Sequence, residues 1–257
     1  MLPSIPYQVH NVKLEEYEFD FRPFNVGMEN NLLLIKDSKK PSEIFSAILN
    51  LEDECLIGKW KGRAKSLPSY IAELLFIELR KVSNGTEIPI TLRCNKELEI
   101  KNENGEPILK SDDTPKTKPC GNEMNVILDL NQVKLIKTEG YKDTFVIEAN
   151  PPIFVKLRQM QAGEYSRDFA NIDTATGMYK HLDSITQGEQ IFGLDDFTEE
   201  EFKNWCKDVP MSTKAEMSKF FFGAQPYISL KTKFKCENPE CNHEQDVEFT
   251  SILDFFI

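Results

Sequence analysis

Apolar and polar positions alternate along residues 7–24. Val9, Val12 and Leu14 are followed by Tyr17, Phe19 and Phe21, set against Glu16, Glu18 and Asp20. A period of two predicts a strand or hairpin. Arg22-Pro23-Phe24 closes it, because proline has no N–H to give to a ladder. From Gly27 the period lengthens. Met28, Leu32 and Ile35, then Ile44, Phe45, Ile48, Leu49 and Leu51 beyond Pro41-Ser42-Glu43, fall at helical spacing. Ser42 is the expected cap of the second helix, with Phe45 where a full capping box has Glu. The polar stretch Gly58–Ser66 separates these from a third helix, Leu67–Arg80. Its apolar positions 71, 74, 75, 77 and 79 exceed one face and predict burial on most sides. Asn84-Gly85 stops it, glycine being suited to the left-handed conformation past a helix end.

Strand-like runs then return. Ile88–Arg93 leads into Cys94, and Cys120 opens a run through Val126 and Leu128 to Leu130. The 25 residues between the two thiols (95–119) are charged and turn-rich. Asn104-Gly105 sits between two short apolar alternations, so the insertion is expected to be a small β-excursion. Thr144–Glu148 and Ile153–Leu157 are two more strands, divided by Asn150-Pro151-Pro152. Residues 165–225 are expected to be helical. Thr198 and Glu201 form a full capping box, and a further helix runs from Ser212 through Met217, Phe220 and Phe221 to Gly223. Pro226 ends it, and Ile228–Phe234 enters a last hairpin carrying Cys236 and Cys241.

Each pair of thiols has the order strand, Cys, loop, Cys, strand. Two thiols at a hairpin tip are half of a tetrahedral zinc site. Cys94, Cys120, Cys236 and Cys241 are therefore expected to hold one structural Zn²⁺, joining hairpins more than a hundred residues apart. Four sulfurs would leave no open position for hydrolytic chemistry. His243 is a substitute ligand should one thiol point away, and four unliganded thiols are the alternative. The expected organisation is α+β: an N-terminal β segment (1–26), a helical lobe (27–86), the first Cys hairpin with its insertion and following strands (87–160), a second helical lobe (161–227) and the second Cys hairpin (228–257). Together the hairpins make a zinc-ribbon-like β module flanked by the helical lobes.

Composition narrows the function classes. The 257 residues are 40 % hydrophobic and 28 % charged, values of a soluble globular chain. No apolar run approaches the ~20 residues of a membrane span, and the start, Met1-Leu2-Pro3-Ser4-Ile5-Pro6, lacks the pattern of a signal peptide. The net charge of −11 argues against broad binding to nucleic acid. Six cysteines, unevenly spaced, do not make a secreted disulfide framework; a reducing compartment is expected. Cys55 and Cys206 read as buried apolar residues. Of the three histidines, His10 and His181 read as core or surface residues without catalytic partners. Glu199-Glu200-Glu201 reads as charge placed at a helix N-terminus, where the dipole favours it. No Gly-rich phosphate loop occurs. Phe220-Phe221-Phe222 read as core, and Phe255-Phe256 as core or as a contact for a partner. No catalytic site is expected.

Four stretches in order carry a likeness: Leu67–Arg80 with Ser83-Asn84-Gly85; Phe197–Trp205; Met211–Pro226; and the Cys hairpin ending in Phe255-Phe256. This order resembles the baseplate hub assembly and hub subunit proteins of T4-like contractile-tailed bacteriophages, which often carry a Cys-x-x-Cys-Gly hairpin in each half. The resemblance covers most of residues 20–257. It implies a non-enzymatic, chaperone-like assembly or virion structural protein that binds other hub components. It would work in the host cytoplasm during assembly or in the tail baseplate, with no small-molecule substrate. Cys94 and Cys120-Gly121 correspond to the first hairpin's pair, Cys236 and Cys241 to the second's. The long insertion and the lengthened second loop depart from the family pattern. A second reading is a zinc-ribbon nucleic-acid or transcription module, for which Lys231, Lys233 and Lys235 offer a short basic stripe.

Overall fold

The computed structural model describes residues 6–36, 40–139, 142–164, 174–223 and 225–255. In chain order it contains β1 (His10–Leu14), β2 (Tyr17–Phe21), α1 (Val26–Lys36), α2 (Pro41–Cys55), β3 (Leu56–Ile57), α3 (Ser69–Asn84), β4 (Glu87–Arg93), β5 (Glu97–Glu99), β6 (Thr117–Pro119), β7 (Glu123–Asp129), β8 (Lys134–Ile136), β9 (Thr144–Ile147) and β10 (Ile153–Leu157). The second half adds α4 (Thr174–Lys180), β11 (Leu182–Gln187), β12 (Gln190–Phe192), α5 (Glu199–Trp205), α6 (Met211–Gly223), β13 (Tyr227–Lys235) and β14 (Glu244–Phe249). The fold is mixed α+β.

The alternation at the N-terminus is a hairpin. β1 pairs antiparallel with β2 from His10↔Phe21 to Leu14↔Tyr17, turning at Glu15. Phe19 and Phe21 are fully buried, as period two requires of one face of a strand packed on a core. The expectation did not include β3, which lies in sequence at the end of α2. Leu56 and Ile57 pair with Phe21 and Asp20, so the sheet gains a third strand two residues long. So short a run carries no periodicity and is set by the burial of Leu56.

Ser42 does not cap α2. The helix begins at Pro41 with Lys40 as its flanking residue, so Ser42 already lies in the first turn. Proline wins that position because its fixed φ and missing N–H suit the start of a helix. α3 follows expectation, with Tyr70, Ile71, Ala72, Leu75, Phe76, Ile77 and Leu79 all buried. Gly85 (φ +85) ends it, its N–H donating to Lys81 O. The N-terminal sheet, α1, α2 and α3 share one apolar core, into which Leu130, Ala162, Ile228 and Ile252 also project.

Among its described residues, the stretch 165–225 is less helical than its sequence suggested. Residues 182–192 form β11 and β12, which extend β9–β10 into a four-stranded antiparallel sheet ordered β12-β11-β10-β9. Gly188 (φ +61) opens the two-residue turn between them, the place where a type II′ hairpin turn takes glycine. Phe145, Val155 and Leu157 from the sheet pack with Met178, Phe202, Met217 and Phe220 from the helices. The full capping box on α5 is present: Glu201 N–H donates to Thr198 Oγ1 (3.3 Å), and Thr198 N–H donates to the Glu201 carboxylate (2.7 Å). α6 begins at Met211, one residue earlier than expected, with Lys214 N–H reaching Pro210 O. Phe220 is buried. The side chains of Phe221, Phe222 and Phe255, and residues 256–257, lie outside the described part, as do 165–173.

Candidate metal centre

β4 and β7 form one two-stranded ribbon, in register from Glu87↔Asp129 to Arg93↔Glu123. β13 and β14 form the other, from Leu230↔Phe249 to Lys235↔Glu244, and β13 also pairs with β8 through its first three residues. The inner faces meet over Leu128, Leu230 and Phe249, with Ile88, Ile90, Leu92, Val126 and Val247 around them. Alternation therefore aims one face of each hairpin at the other and brings their tips together.

The four thiols sit at those tips. Cys94 Sγ lies 3.7 Å from Cys241 Sγ, and Cys120 Sγ lies 3.7 Å from Cys236 Sγ. All four sulfurs lie within 4.8 Å of one another. A disulfide would need about 2.05 Å, and all six cysteines are free thiols. A tetrahedron with metal–sulfur bonds of about 2.3 Å has sulfur–sulfur edges of about 3.8 Å. The spacing and the donor chemistry fit a four-thiolate metal ion, and these residues would hold it. Cys94 and Cys236 are almost fully buried, beside Met124 and Phe234.

The backbone around the thiols is held from within each hairpin. Cys94 N–H donates to Asn122 O (2.9 Å), Gly121 N–H to Cys94 O (3.2 Å) and Cys120 N–H to Lys96 O (2.8 Å). Gly121 takes φ +62, which only glycine adopts freely. In the second tip, Cys236 N–H donates to His243 O (2.8 Å), while Cys241 and Asn242 N–H both donate to Asn238 O. Asn238 Nδ2 reaches across to Cys120 Sγ (3.4 Å), and Asn95 N–H donates to Gln245 Oε1 (3.2 Å), so each hairpin also holds the other. His243 contributes its carbonyl and is not among the clustered ligand atoms.

The 25-residue insertion leaves this geometry intact because it satisfies its own backbone. β5 pairs with β6 directly beyond the two cysteines. Further out, Ile100 N–H donates to Lys116 O (2.8 Å), Lys116 N–H to Ile108 O (2.7 Å) and Ile108 N–H to Ile100 O (2.8 Å), a closed cycle of three short segments. The turn at Asn102 is present, with Gly105 N–H on Asn102 O (3.0 Å). The β-excursion expected from Asn-Gly is thus real, and it returns the chain to its starting point.

The thiols differ electrostatically. The backbone N–H of Asn122 and the amide of Asn238 hold Cys120 below the usual thiol range, at about 7. Burial pushes Cys241 up to about 12 and raises Cys236. Cys120 therefore gives up its proton more readily than Cys236 or Cys241. A divalent cation would favour the thiolate at all four positions.

Other candidate residues lie elsewhere. Cys55 is fully buried 4.0 Å from Met28 Sδ, its thiol pushed up to about 12 by burial, and Cys206 is buried in the second core. His10 stacks on Phe21, and buried His181 sets Nδ1 3.1 Å from Arg158 O. The lysine stripe is neutralised across the ladder. Lys231, Lys233 and Lys235 stand opposite Glu248, Asp246 and Glu244, with ion pairs to the first two at 3.5 and 3.3 Å. The sequence reading missed Glu52 and Glu73. Glu52 is fully buried with no hydrogen-bond partner among the described residues, and Glu73 accepts from Ser251 Oγ (2.9 Å) and Ile252 N–H (3.4 Å). Glu52 falls at a position that the helical spacing of α2 buries, and that was the available signal.

Among the described residues no helix is long and apolar enough to cross a membrane. A family model described as T4 bacteriophage base plate protein matches residues 6–257. No curated protein and no solved structure matches the chain.

Proposed function

Since the chain belongs to the T4 bacteriophage base plate protein family, we propose that it is a non-enzymatic structural or assembly protein of the baseplate hub in a contractile-tailed phage. It binds other hub components during tail morphogenesis, in the host cytoplasm, and its destination is the tail baseplate. The observation that carries this reading is the family match across nearly the whole chain. Cys94, Cys120, Cys236 and Cys241 hold one structural Zn²⁺, making the two hairpins a zinc-ribbon-like clasp. Support for zinc comes from the 3.7 Å sulfur spacings and the all-sulfur donor set. The five segments bounded at residues 26, 86, 160 and 227 are successive stretches of this architecture, and the sheet β12-β11-β10-β9 joins the third to the fourth. Nucleic-acid binding is the weaker reading, because each lysine of the stripe faces a carboxylate.

Deleting the gene in the phage tests the role. Heads and free tail tubes without finished baseplates are expected, with the tagged protein co-purifying with other tail proteins. Normal infectious particles after deletion would overturn it.

A further inference from the structure

A groove of about 400 Å³ opens on the second lobe between the β10–β11–β12 face and α5. Phe192, Phe197 and Trp205 line it, together with Phe202 at its base. Phe202 ties the aromatic wall together, 6.0 Å from the Phe197 ring and 5.7 Å from the Trp205 ring between centroids. Phe202 is buried, so this wall is fixed by the core beneath it. Among the described residues, Asp196 and Glu201 are the charged side chains lining the groove; both are carboxylates. Each is held in place locally: Asp196, in the 3₁₀ turn Leu194–Asp196, accepts from Gly193 N–H (2.7 Å), and Glu201, in the first turn of α5, accepts from Thr198 N–H (2.7 Å). Each carboxylate keeps lone pairs for another donor.

Aromatic faces and carboxylates, with no cation lining the groove among the described residues, are complementary to a planar cation. A guanidinium stacks on rings and donates in a fork to carboxylates, which an ammonium does less well. β12 borders the same groove through Phe192 and is the edge strand of its sheet, with no further strand on its outer side among the described residues. Ile191 beside it is 69 % exposed. We infer that this groove receives an arginine side chain carried on an extended segment of a partner protein. The edge of β12 supplies backbone pairing to that segment. The inference rests on the reading that this chain works by docking to other proteins, and it names where and by what chemistry.

The test uses the full ¹⁵N-labelled chain and two short extended peptides, identical except for a central arginine or norleucine. The arginine peptide is expected to move the Trp205 indole resonance saturably and to bind about tenfold more tightly than the norleucine peptide. The Trp60 indole, in the other lobe, stays still. A Glu201→Gln, Asp196→Asn double variant keeps an acceptor for Thr198 N–H and for Gly193 N–H and is expected to bring the two peptides level. Equal binding of the two peptides by the parent chain, or no saturable shift of Trp205 at millimolar peptide, would overturn the groove. Either result leaves the baseplate assignment untouched, since that stands or falls on the phage deletion.

Discussion

The helical lobe and the two-hairpin module solve the problem of stability differently. In the helical lobe, α2 and α3 bury Phe45, Ile48, Leu75 and Leu79 almost completely against the N-terminal sheet. Apolar burial on that scale holds elements together without help, at roughly 1.5–3 kcal/mol per buried large side chain. Between its own hairpins the module buries Leu128, Leu230 and Phe249 at its base, and Met124, Phe234 and two thiols at its tip. The β4–β7 ribbon has two strands, and such ribbons are marginal alone. One region is held by packing. The other is held by packing at one end and, on the reading proposed above, by metal–thiolate bonds at the other.

The difference can be broken from either side. The largest effect is expected from Cys236→Ser, or from a strong chelator. Structural zinc contributes on the order of 10 kcal/mol in small zinc-finger peptides. Hydrogen exchange should then show amides of β4, β7, β13 and β14 losing protection near the tips, while those of α2 and α3 keep theirs. Uniform loss across both regions would mean that the metal supports the whole fold rather than the clasp. The reverse break is Leu75→Ala, a fully buried position in α3. It should cost roughly 2–5 kcal/mol in chemical denaturation and leave metal content unchanged.

A third effect belongs to the helical lobe. Burial raises the carboxyl of Glu73 to about 7, with Asp254 adding to the rise, and raises that of Glu52 well above its ordinary value, with Asp53 and Glu73 nearby. For an acid with a raised folded pKa, the folded state holds a proton that the unfolded state releases. Stability from this source is full below about pH 4.5 and falls as pH rises toward 7. Glu73→Gln should therefore gain on the parent chain as pH increases through that window, by on the order of 2–3 kcal/mol. A pH-independent difference between the two would show that Glu73 titrates normally. The variant keeps an acceptor for Ser251 and Ile252. The smallest effect is Thr198→Ala, which removes the α5 cap and should cost about 1 kcal/mol without touching either of the other regions.

What the sequence disclosed follows the same division. The hairpins were legible because period two, a cysteine at each strand end and Asn-Gly are local signals. α3 and its stop at Gly85 were legible for the same reason. The meeting of Cys94 with Cys241 followed from ligand count, since half a tetrahedron implies its other half. β3 was illegible because two residues carry no period. β11 and β12 were hidden because Leu182 and Ile185 fit a helix as well as a strand, and Gly188-Glu189 is not one of the dipeptides that mark a hairpin turn. Ser42 misled because a capping residue type does not outweigh an adjacent Pro41. The cycle through Ile100, Ile108 and Lys116 is made of backbone bonds, which side-chain patterns do not encode.

The central claim is that four thiols from two distant hairpins close on one metal ion. Metal content of protein purified without chelator, followed by the absorption spectrum after cobalt replacement, tests it most directly. The account predicts about one zinc per chain and intense thiolate-to-cobalt bands of a tetrahedral four-sulfur site, absent from Cys236→Ser. Metal-free folded protein whose Cys94, Cys120, Cys236 and Cys241 all react freely with a thiol reagent would contradict it.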